Sequence, residues 1–339
     1  MSAWPKISVC IPTYNRACFL RHALASVLVQ ERADFEVVVS DNASTDNTSE
    51  VVRALADPRV RYYRNARNLG PIGNGRRCQE LAVGEYLTFL FDDDVMMAGN
   101  LARKTALLDQ HPSVGMVHSR GVFIDEQGAI LSRPWLAPYT EDRIWPVGGF
   151  FRDLINSNNL VMFSSVVFRR ECIEKLGFVD DRLGYTNDFE LWMRIALHYE
   201  VAYLDDPLVQ YRVHGGQDSW NFARKLQGVR ERLEAKRLVL EKHQELIADY
   251  KEIKSRAVNQ NAREALGLGV HTLHCGSWRQ AAECYGYALK LRPLLALRRD
   301  RLRLLAMLLL GRAGTRLVVR LSHLVKKEVQ TRSVAGGRS

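Results

Sequence analysis

The chain has 339 residues, of which 47% are hydrophobic and 25% are charged, so its composition is typical of a globular protein and excludes wholesale disorder. The net charge of +10 is uneven: residues 1–224 carry 24 basic and 28 acidic side chains, and residues 225–339 carry 24 basic and 10 acidic ones. A slightly acidic body followed by a basic extension predicts two tasks in one chain.

The N-terminus and the cysteines bear on the cellular location. Charged and polar residues interrupt the sequence from Lys6 onward, so we expect no signal peptide. The apolar run Leu304–Leu310 is far shorter than the roughly 20 residues of a membrane-spanning helix. The six cysteines form no C-x-x-C pair, which favours reduced thiols. We therefore expect a cytoplasmic protein.

The first hundred residues alternate between strand and helix patterns. In chain order they predict a strand at 6–11, a helix at 17–29, a strand at 35–40, a helix at 51–55, a strand at 60–63, a helix at 73–82 and a strand at 85–91. Short connections between alternating strands and helices indicate an α/β fold with a doubly wound, mainly parallel sheet.

The remainder of the chain divides near residue 220. Before it, the predicted elements are strands at 114–118, 161–168 and 201–204 and a helix at 188–199, with a loop at 133–149 that we expect to frame an acceptor. After it, residues 222–249 read as an amphipathic helix, and residues 262–293 resemble a single tetratricopeptide hairpin. We predict one domain at 1–220 and a helical, basic extension at 221–339.

Three adjacent carboxylates, Asp92, Asp93 and Asp94, follow a predicted apolar strand. Ligands of doubly wound sheets bind beyond the carboxyl ends of the strands. Such a cluster is tolerated chiefly where a cation neutralises it, and oxygen ligands suit Mg²⁺ or Mn²⁺. The alternative is a solvated acidic loop or a helix N-cap.

Two more polar loops follow strands of the same predicted sheet. Asp41 is placed to accept hydrogen bonds from a nucleobase or a ribose. Pro12 ends the first strand, and Tyr14 offers an aromatic face for a base. Arg16 stands at a helix start, against the preference of the helix dipole, which indicates a salt bridge or a phosphate contact.

The segment NLGPIGNGRR, residues 68–77, combines glycines with positive charge. Its glycines permit close approach of the backbone to a ligand. Arg76 or Arg77 would contact a diphosphate or a loop carboxylate.

Together these segments resemble family-2 glycosyltransferases with the GT-A fold. The matching segments are CIPTYNR (10–16), SDNASTDNT (40–48), NLGPIGN (68–74) with Arg77, GEYLTFLFDDDV (84–95), TNDFELWMR (186–194) and YRVHGG (211–216). The resemblance covers roughly the first 220 residues, and it is specific because the motifs occur in the expected order.

The resemblance implies a nucleotide-sugar site and a divalent metal, Mn²⁺ or Mg²⁺. Asp41 would read the base, and Asp92 would bind the ribose. The implied donor-binding residues are Pro12, Tyr14, Arg16, Asn68 and Arg77 together with Asp41 and Asp92. The implied metal ligands are Asp93, Asp94 and His214, and His214 is alternatively a structural histidine.

The resemblance also implies that Asp188 is the catalytic base of an inverting displacement. It would accept the proton of the acceptor hydroxyl as that oxygen attacks the anomeric carbon. The family often has Glu where this chain has Asn187, and Glu190 is the alternative base.

The implied activity is metal-dependent transfer from a nucleotide-sugar to a hydroxyl on a glycan or lipid-linked acceptor, in cell-surface polysaccharide or glycolipid synthesis. The alternatives are a nucleotidyltransferase and a non-catalytic nucleotide-sugar-binding scaffold. The G-x-G-x-x-G fingerprint of dinucleotide-dependent oxidoreductases is missing after the first strand. We expect no nucleic-acid partner, because no recognised nucleic-acid motif is present.

The leucine- and arginine-rich residues 290–339 have two interpretations. A basic amphipathic helix can lie on an anionic membrane surface, which would place the protein peripherally at the cytoplasmic face. The alternative is a helix that packs against the catalytic body with its arginines in solvent.

Overall fold

The computed structural model describes residues 4–32, 34–132, 138–217, 222 and 225–296. They form two compact units, one from the described parts of residues 1–219 and 234–250 and one from those of 220–233 and 251–339. The domain boundary at residue 220 stays a prediction. The membrane-binding tail and residues 133–137 of the acceptor loop lie outside the described residues.

The first unit contains a mixed, mostly parallel sheet. Its described strands are β1 (Ile7–Thr13), β2 (Phe35–Asp41), β3 (Val60–Arg64), β4 (Tyr86–Phe89), β5 (Val95–Met96), β6 (Val114–Ile124), β7 (Arg143–Trp145), β8 (Val166–Arg169) and β9 (Glu200–Arg212). The strand order is β3-β2-β1-β4-β8-β6-β9-β5, and β7 pairs with β9. Strands β3, β2, β1 and β4 run parallel, as do β6 and β9, whereas β8 is antiparallel to both of its neighbours. The predicted α/β fold is confirmed.

Helices cover the sheet in the order that strand–helix alternation requires. The helices of this unit are α1 (Ala17–Leu28), α2 (Thr48–Ala54), α3 (Gly70–Leu81), α4 (Asn100–Gln110), α5 (Gly149–Asn156), α6 (Arg170–Leu176) and α7 (Asn187–His198). Strand β2 is buried along its whole length, and β1 at every residue except Pro12. Continuous burial of this kind explains why both strands read as apolar runs instead of alternating patterns.

The register of the parallel strands aligns their carboxyl ends. Thr13 at the end of β1 lies opposite Asp41 at the end of β2, and Cys10 lies opposite Phe89 at the end of β4. The polar loops that follow these three strands therefore emerge at one edge of the sheet.

The strands predicted at 114–118 and 201–204 extend to Ile124 and Arg212, and two further predicted elements differ in type or continuity. The strand predicted at 161–168 is a 3-10 turn, Phe163–Ser165, followed by β8, because the Ser165 hydroxyl donates to Met162 O at 2.7 Å and closes the turn. The helix predicted at 222–249 is α8 (Leu226–Lys242) followed by a 3-10 turn, Gln244–Leu246.

The second unit contains a helical hairpin. Its helices are α9 (Tyr250–His274), α10 (Trp278–Leu291) and α11 (Pro293–Ala296). A small core includes Val229, Leu266 and Tyr285. The amide of Asn261 donates to Val229 O at 2.7 Å. The predicted pair of helices at 262–293 is confirmed. None of the described helices has the length and apolarity to cross a bilayer.

Candidate active site

The carboxylates that follow β4 lie against Arg16 at the start of α1. Arg16 Nη1 donates to Asp93 Oδ2 at 2.9 Å and to Asp92 Oδ1 at 3.2 Å. Burial, reinforced by the charge of Asp93, raises the pKa of Asp92 to about 6. The guanidinium thus partly neutralises two buried anions, which is the salt bridge anticipated for Arg16. Its contact with a nucleotide-sugar stays a prediction.

Asp93 has a second buried partner, His214. His214 Nε2 lies 3.0 Å from Asp93 Oδ2, and Gly216 N donates to His214 Nδ1 at 3.2 Å. Because Nδ1 accepts this hydrogen bond, Nε2 carries the proton and donates to the carboxylate. The imidazole also packs on Phe19, with ring centroids 5.0 Å apart. The loop after β9 therefore completes the cluster that begins after β4.

Asp94 faces a different set of groups. Its Oδ2 accepts from the Ser164 hydroxyl at 2.5 Å, and its Oδ1 accepts from Arg212 N at 3.0 Å. Burial and the charge of Asp93 raise the pKa of Asp94 well above its ordinary value. Asp94 thus ties the cluster to β9 and to the 3-10 turn at Phe163–Ser165.

Arg212, which sequence reasoning did not select, is central to this arrangement. It is 3% exposed, and its Nε donates to Asp93 O at 2.8 Å. Its Nη1 donates to Asp125 O and to Glu126 O, both at 3.0 Å. The signal was available, because Arg212 stands in the quoted YRVHGG segment. Ser164 had no comparable signal.

Asp41, the predicted base-reading residue, is 1% exposed at the end of β2. Its Oδ1 accepts from Ser44 N at 2.9 Å, and its Oδ2 accepts from the Tyr62 hydroxyl at 2.6 Å. Arg64 Nε lies 3.5 Å from the same Oδ2. Burial and the Asp41 carboxylate raise the pKa of Tyr62. The hydrogen-bond partners of Asp41 therefore orient its carboxylate at the sheet edge.

The remaining donor-site residues differ in their surroundings. Pro12 lies in β1 opposite Ser40, and Tyr14 is exposed just beyond that strand. Asn68 Oδ1 accepts from Gly70 N and from Asn42 Nδ2, both at 2.8 Å, and so fixes the turn before α3. Arg77 forms its ion pair with Glu80 in the same helix, at 3.2 Å, and not with the carboxylate cluster.

Asp188 lies in the first turn of α7. Its Oδ2 accepts from Asn159 Nδ2 at 2.8 Å, and its Oδ1 accepts from Phe189 N at 2.6 Å. A carboxylate in the first turn of a helix is favoured by the helix dipole, which explains why the sequence tolerates it there.

Glu190, the alternative base, is committed to an ion pair. Arg194 donates to its Oε1 at 2.9 Å and to its Oε2 at 2.7 Å, and both side chains are buried. Arg194 also donates to Leu176 O, Gly177 O and Phe178 O. This pair joins α7 to the end of α6, so Glu190 has a structural role.

Aromatic packing connects Asp188 with the carboxylate cluster. The rings of Phe91 and Phe163 lie 5.7 Å apart, and those of Phe163 and Trp192 lie 5.0 Å apart. Phe91 immediately precedes Asp92, and Trp192 lies one turn after Asp188 in α7. The carboxylate cluster and Asp188 thus lie on segments that both pack against the ring of Phe163 in the 3-10 turn.

The donor atoms around Asp93 fit a divalent ion that is shared with a diphosphate. Within the described ranges, no three His, Cys, Asp or Glu side chains form a complete metal-binding group. Mg²⁺ sites commonly use one or two protein carboxylates and take further oxygens from phosphates and water. Asp93 would provide such a carboxylate through Oδ2, which accepts from Arg16 and lies beside His214 Nε2, whereas both oxygens of Asp94 accept hydrogen bonds from the protein. His214 would bind a metal ion through Nε2 only with its ring proton on Nδ1. The metal role of each residue stays a prediction.

Comparison with protein families and curated relatives gives consistent matches. The family model described as glycosyl transferase family 2 matches residues 8–177. The GalNAc(5)-diNAcBac-PP-undecaprenol beta-1,3-glucosyltransferase of Campylobacter jejuni is 32% identical over 200 residues, with 56% of this chain and 60% of that protein covered. The putative colanic acid biosynthesis glycosyl transferase WcaA of Escherichia coli is 28% identical over 200 residues, with 58% and 67% covered. The chain thus spans only about 60% of the first relative.

Solved structures resemble the fold of this chain. S. aureus TarS in complex with UDP-GlcNAc has a TM-score of 0.64 and 20% identity, with 91% of this chain and 88% of that chain covered. The mannosyltransferase PcManGT from Pyrobaculum calidifontis, in complex with GDP-Man and Mn²⁺, has a TM-score of 0.51 and 21% identity, with 93% and 86% covered. At these identities the likeness shows the fold alone.

Proposed function

Because the chain belongs to glycosyl transferase family 2, we propose that it is an inverting, metal-dependent glycosyltransferase that moves a sugar from a nucleotide-sugar to a hydroxyl acceptor. One observation carries the proposal: a buried carboxylate cluster after β4 and a separate carboxylate, Asp188 in α7, lie on segments that pack against the same aromatic ring, Phe163. The cluster and Asp188 provide two distinct sites, one for the donor phosphates and one for the acceptor proton.

The donor half of the proposal uses the loops after β1, β2 and β4. Asp41, oriented by Tyr62 and Ser44, reads the base, while Pro12 and Tyr14 line the same pocket. Asp92 binds the ribose, and Asn68 shapes the adjoining turn. Arg16 moves from its carboxylate partners toward phosphate as charge builds there. Arg77 is assigned to the donor by family resemblance, since its ion pair is with Glu80.

A divalent ion, Mn²⁺ or Mg²⁺, would be held by Asp93 and His214, with Asp94 as a further candidate, and would neutralise negative charge on the departing diphosphate. The chain itself orients these ligands. Arg212 donates to the Asp93 carbonyl, and Ser164 fixes Asp94. Such fixed partners keep ligand atoms in place without reorganisation during the reaction.

Asp188 performs the proton transfer. The acceptor oxygen attacks the anomeric carbon, the bond from that carbon to the diphosphate oxygen breaks, and the hydroxyl proton passes to the Asp188 carboxylate. General-base assistance of this kind contributes about 10²–10⁴-fold. Hydrogen bonds from Asn159 and Phe189 hold the carboxylate before the acceptor arrives.

The substrates are proposed at the level of class. The Campylobacter relative is named for a polyprenyl-diphosphate-linked acceptor and the Escherichia coli relative for colanic acid synthesis, which supports a lipid-linked or glycan acceptor in surface polysaccharide synthesis. The basic tail would then bind an anionic membrane at its cytoplasmic face. A non-catalytic nucleotide-sugar-binding scaffold is the second candidate.

A donor screen separates the two candidates. Release of nucleoside diphosphate is measured from UDP-, GDP- and dTDP-sugars with Mn²⁺ or with EDTA, and thermal shifts are recorded for each nucleotide. We expect one donor class to be consumed only with metal, and we expect Asp188→Asn to bind that nucleotide without turnover. Metal-dependent binding without turnover of any donor in the wild type would favour the scaffold.

A further inference from the structure

Residues 234–250, here called the bracing segment, belong to the same compact unit as the sheet although they follow residue 220. The segment contacts the helices on which the Asp188 site is built. His243 Nδ1 lies 3.3 Å from His198 Nε2 at the end of α7. Asp249 accepts from Arg152 in α5 through both carboxylate oxygens, at 2.6 and 2.9 Å.

Lys236 is a buried polar contact of the bracing segment. It is 1% exposed, and its Nζ donates to Ile155 O at 2.9 Å and to Ser157 O at 3.0 Å. These carbonyls lie at the end of α5, where a cation is favoured by the helix dipole and satisfies carbonyls that lack helical partners. A buried ammonium is retained only where such partners compensate its desolvation. Lys236 therefore fixes how the chain leaves α5.

Three residues after the end of α5, the side chain of Asn159 contacts Asp188. Asn159 Oδ1 accepts from Val161 N at 3.1 Å, so the amide group points its Nδ2 at Asp188 Oδ2, 2.8 Å away. Lys236 also approaches the ring of Phe189, with Nζ 5.7 Å from its centroid. Phe189 N holds the other oxygen of Asp188. Lys236 thus contacts Ser157, two residues before Asn159, and the ring of Phe189, whose backbone N–H donates to Asp188.

We propose that Lys236 and Asn159 are positioning residues for Asp188. Lys236 holds the end of α5 in place, and Asn159, three residues after that helix, donates the hydrogen bond that orients the Asp188 carboxylate. This inference rests on the proposed role of Asp188 as base. It makes the bracing segment a working part of the active site, although the sequence resemblance ends near residue 220.

A double-mutant cycle tests the proposal in the full chain. The variants are Asn159→Ala, Lys236→Met and their combination, and the controls are Asn158→Ala and Lys242→Met, which change exposed neighbours of the same residue types. The readouts are the kcat and KM of nucleoside diphosphate release with water as acceptor, and the Kd of the matching diphosphate with Mn²⁺.

We expect each single variant to lower kcat roughly 10- to 100-fold, the cost of a misplaced catalytic group. Donor KM and diphosphate Kd should stay within about two-fold, because the contacts described above for Asn159 and Lys236 are with the end of α5, Val161, Phe189 and Asp188. The combined variant should lose little beyond the larger single effect, since both residues act along one path. Lys236→Gln, which keeps one donor group, should fall between Lys236→Met and the wild type.

Three outcomes would overturn the inference. They are a normal kcat in Asn159→Ala, losses that add fully in the combined variant, and a rise in diphosphate Kd that matches the fall in kcat. Thermal unfolding of each variant identifies a Lys236→Met protein that has lost its fold, and Asn159→Ala then decides alone. Asp188→Asn separates the two proposals. Normal turnover of Asp188→Asn would refute the role of Asp188 as the base. An inactive Asp188→Asn together with a normal Asn159→Ala would refute only the positioning role.

Discussion

His214 Nε2 lies 3.0 Å from Asp93 Oδ2, although the two residues are 121 positions apart in the chain. The contact joins the loop after β9 to the loop after β4. The same Asp93 oxygen accepts from Arg16 Nη1 at 2.9 Å, so one carboxylate oxygen holds donors from the start of α1 and from the loop after β9. Metal binding by His214, as proposed, would require Nε2 to be the unprotonated ring nitrogen.

The first prediction concerns His214→Ala. The quantity compared is the ratio of nucleotide affinity with Mn²⁺ to nucleotide affinity in EDTA. We expect this ratio to be at least about ten-fold smaller in the variant than in the wild type, because mutations around metal sites typically cost 10–100-fold in metal affinity. Affinity measured in EDTA should change little. Calorimetric titration of UDP and GDP with and without Mn²⁺ measures the difference. His22→Ala, a change at an exposed histidine in α1, is the control, and an unchanged Mn²⁺ effect in His214→Ala would assign His214 a structural role.

The second prediction separates Asp188 from Glu190 by their effects on folding. Glu190→Gln removes the charge that compensates the buried Arg194, and breaking a buried ion pair costs about 3–5 kcal/mol of unfolding free energy. Asp188→Asn keeps an oxygen and removes only the charge at a helix start, so we expect a loss of about 1 kcal/mol or less. Urea unfolding checks both values. Equal destabilisation by the two variants would argue against a structural role that is specific to Glu190.

Much of this arrangement could be predicted from the sequence because it depends on local patterns. Apolar runs located β1, β2 and β4, and the aspartates directly after β4 fell at the predicted edge. The aspartates could be placed because the end of a strand determines where in the sheet the next few residues lie. Asp188 could be placed because the residues around it match a motif at a helix start.

The rest could not be predicted because it depends on contacts between distant segments. Ser164 binds Asp94 across 70 positions, and Lys236 reaches Ile155 O across 81. Neither side chain stands in a recognisable pattern. A lysine in an amphipathic helix is usually solvated, so the sequence offered no reason to expect Lys236 to be buried.

The third prediction concerns Gly84, which lies two residues before β4, the strand that leads to the aspartates. A Cβ added there would lie 2.5 Å from Ser8 N and 2.7 Å from Ile7 C, both backbone atoms of the neighbouring β1 region. Because backbone cannot move aside as a flexible side chain can, we expect Gly84→Ala to cost about 1–3 kcal/mol or more of unfolding free energy. Gly75→Ala is the matched control, since a Cβ in that helix would meet nothing within 4 Å. Urea unfolding of both variants compares them, and similar stabilities would contradict the prediction.

Lys104 is fully buried in α4, and its Nζ donates to Ser165 O at 2.7 Å, next to the serine that binds Asp94. Burial lowers the pKa of Lys104 to about 7. His118, also fully buried, has its pKa lowered to about 3 by burial and by the charge of Lys104. Both groups hold fewer protons in the folded protein than in the unfolded chain, each in its own range of pH.

The last prediction is that stability rises from pH 7 to pH 9 and that Lys104 causes the rise. Between the folded pKa near 7 and the ordinary value of 10.5, the unfolded chain binds the proton that the folded protein has lost, so the free energy of unfolding increases with pH. The difference in proton binding amounts to about 2 kcal/mol between pH 7 and pH 9. His118 does not contribute there, because its titration lies at lower pH. Urea unfolding at both pH values should show the rise in the wild type and in Lys242→Met, a change at an exposed lysine, but not in Lys104→Met. A rise of equal size in Lys104→Met would mean that Lys104 keeps an ordinary pKa in the folded protein.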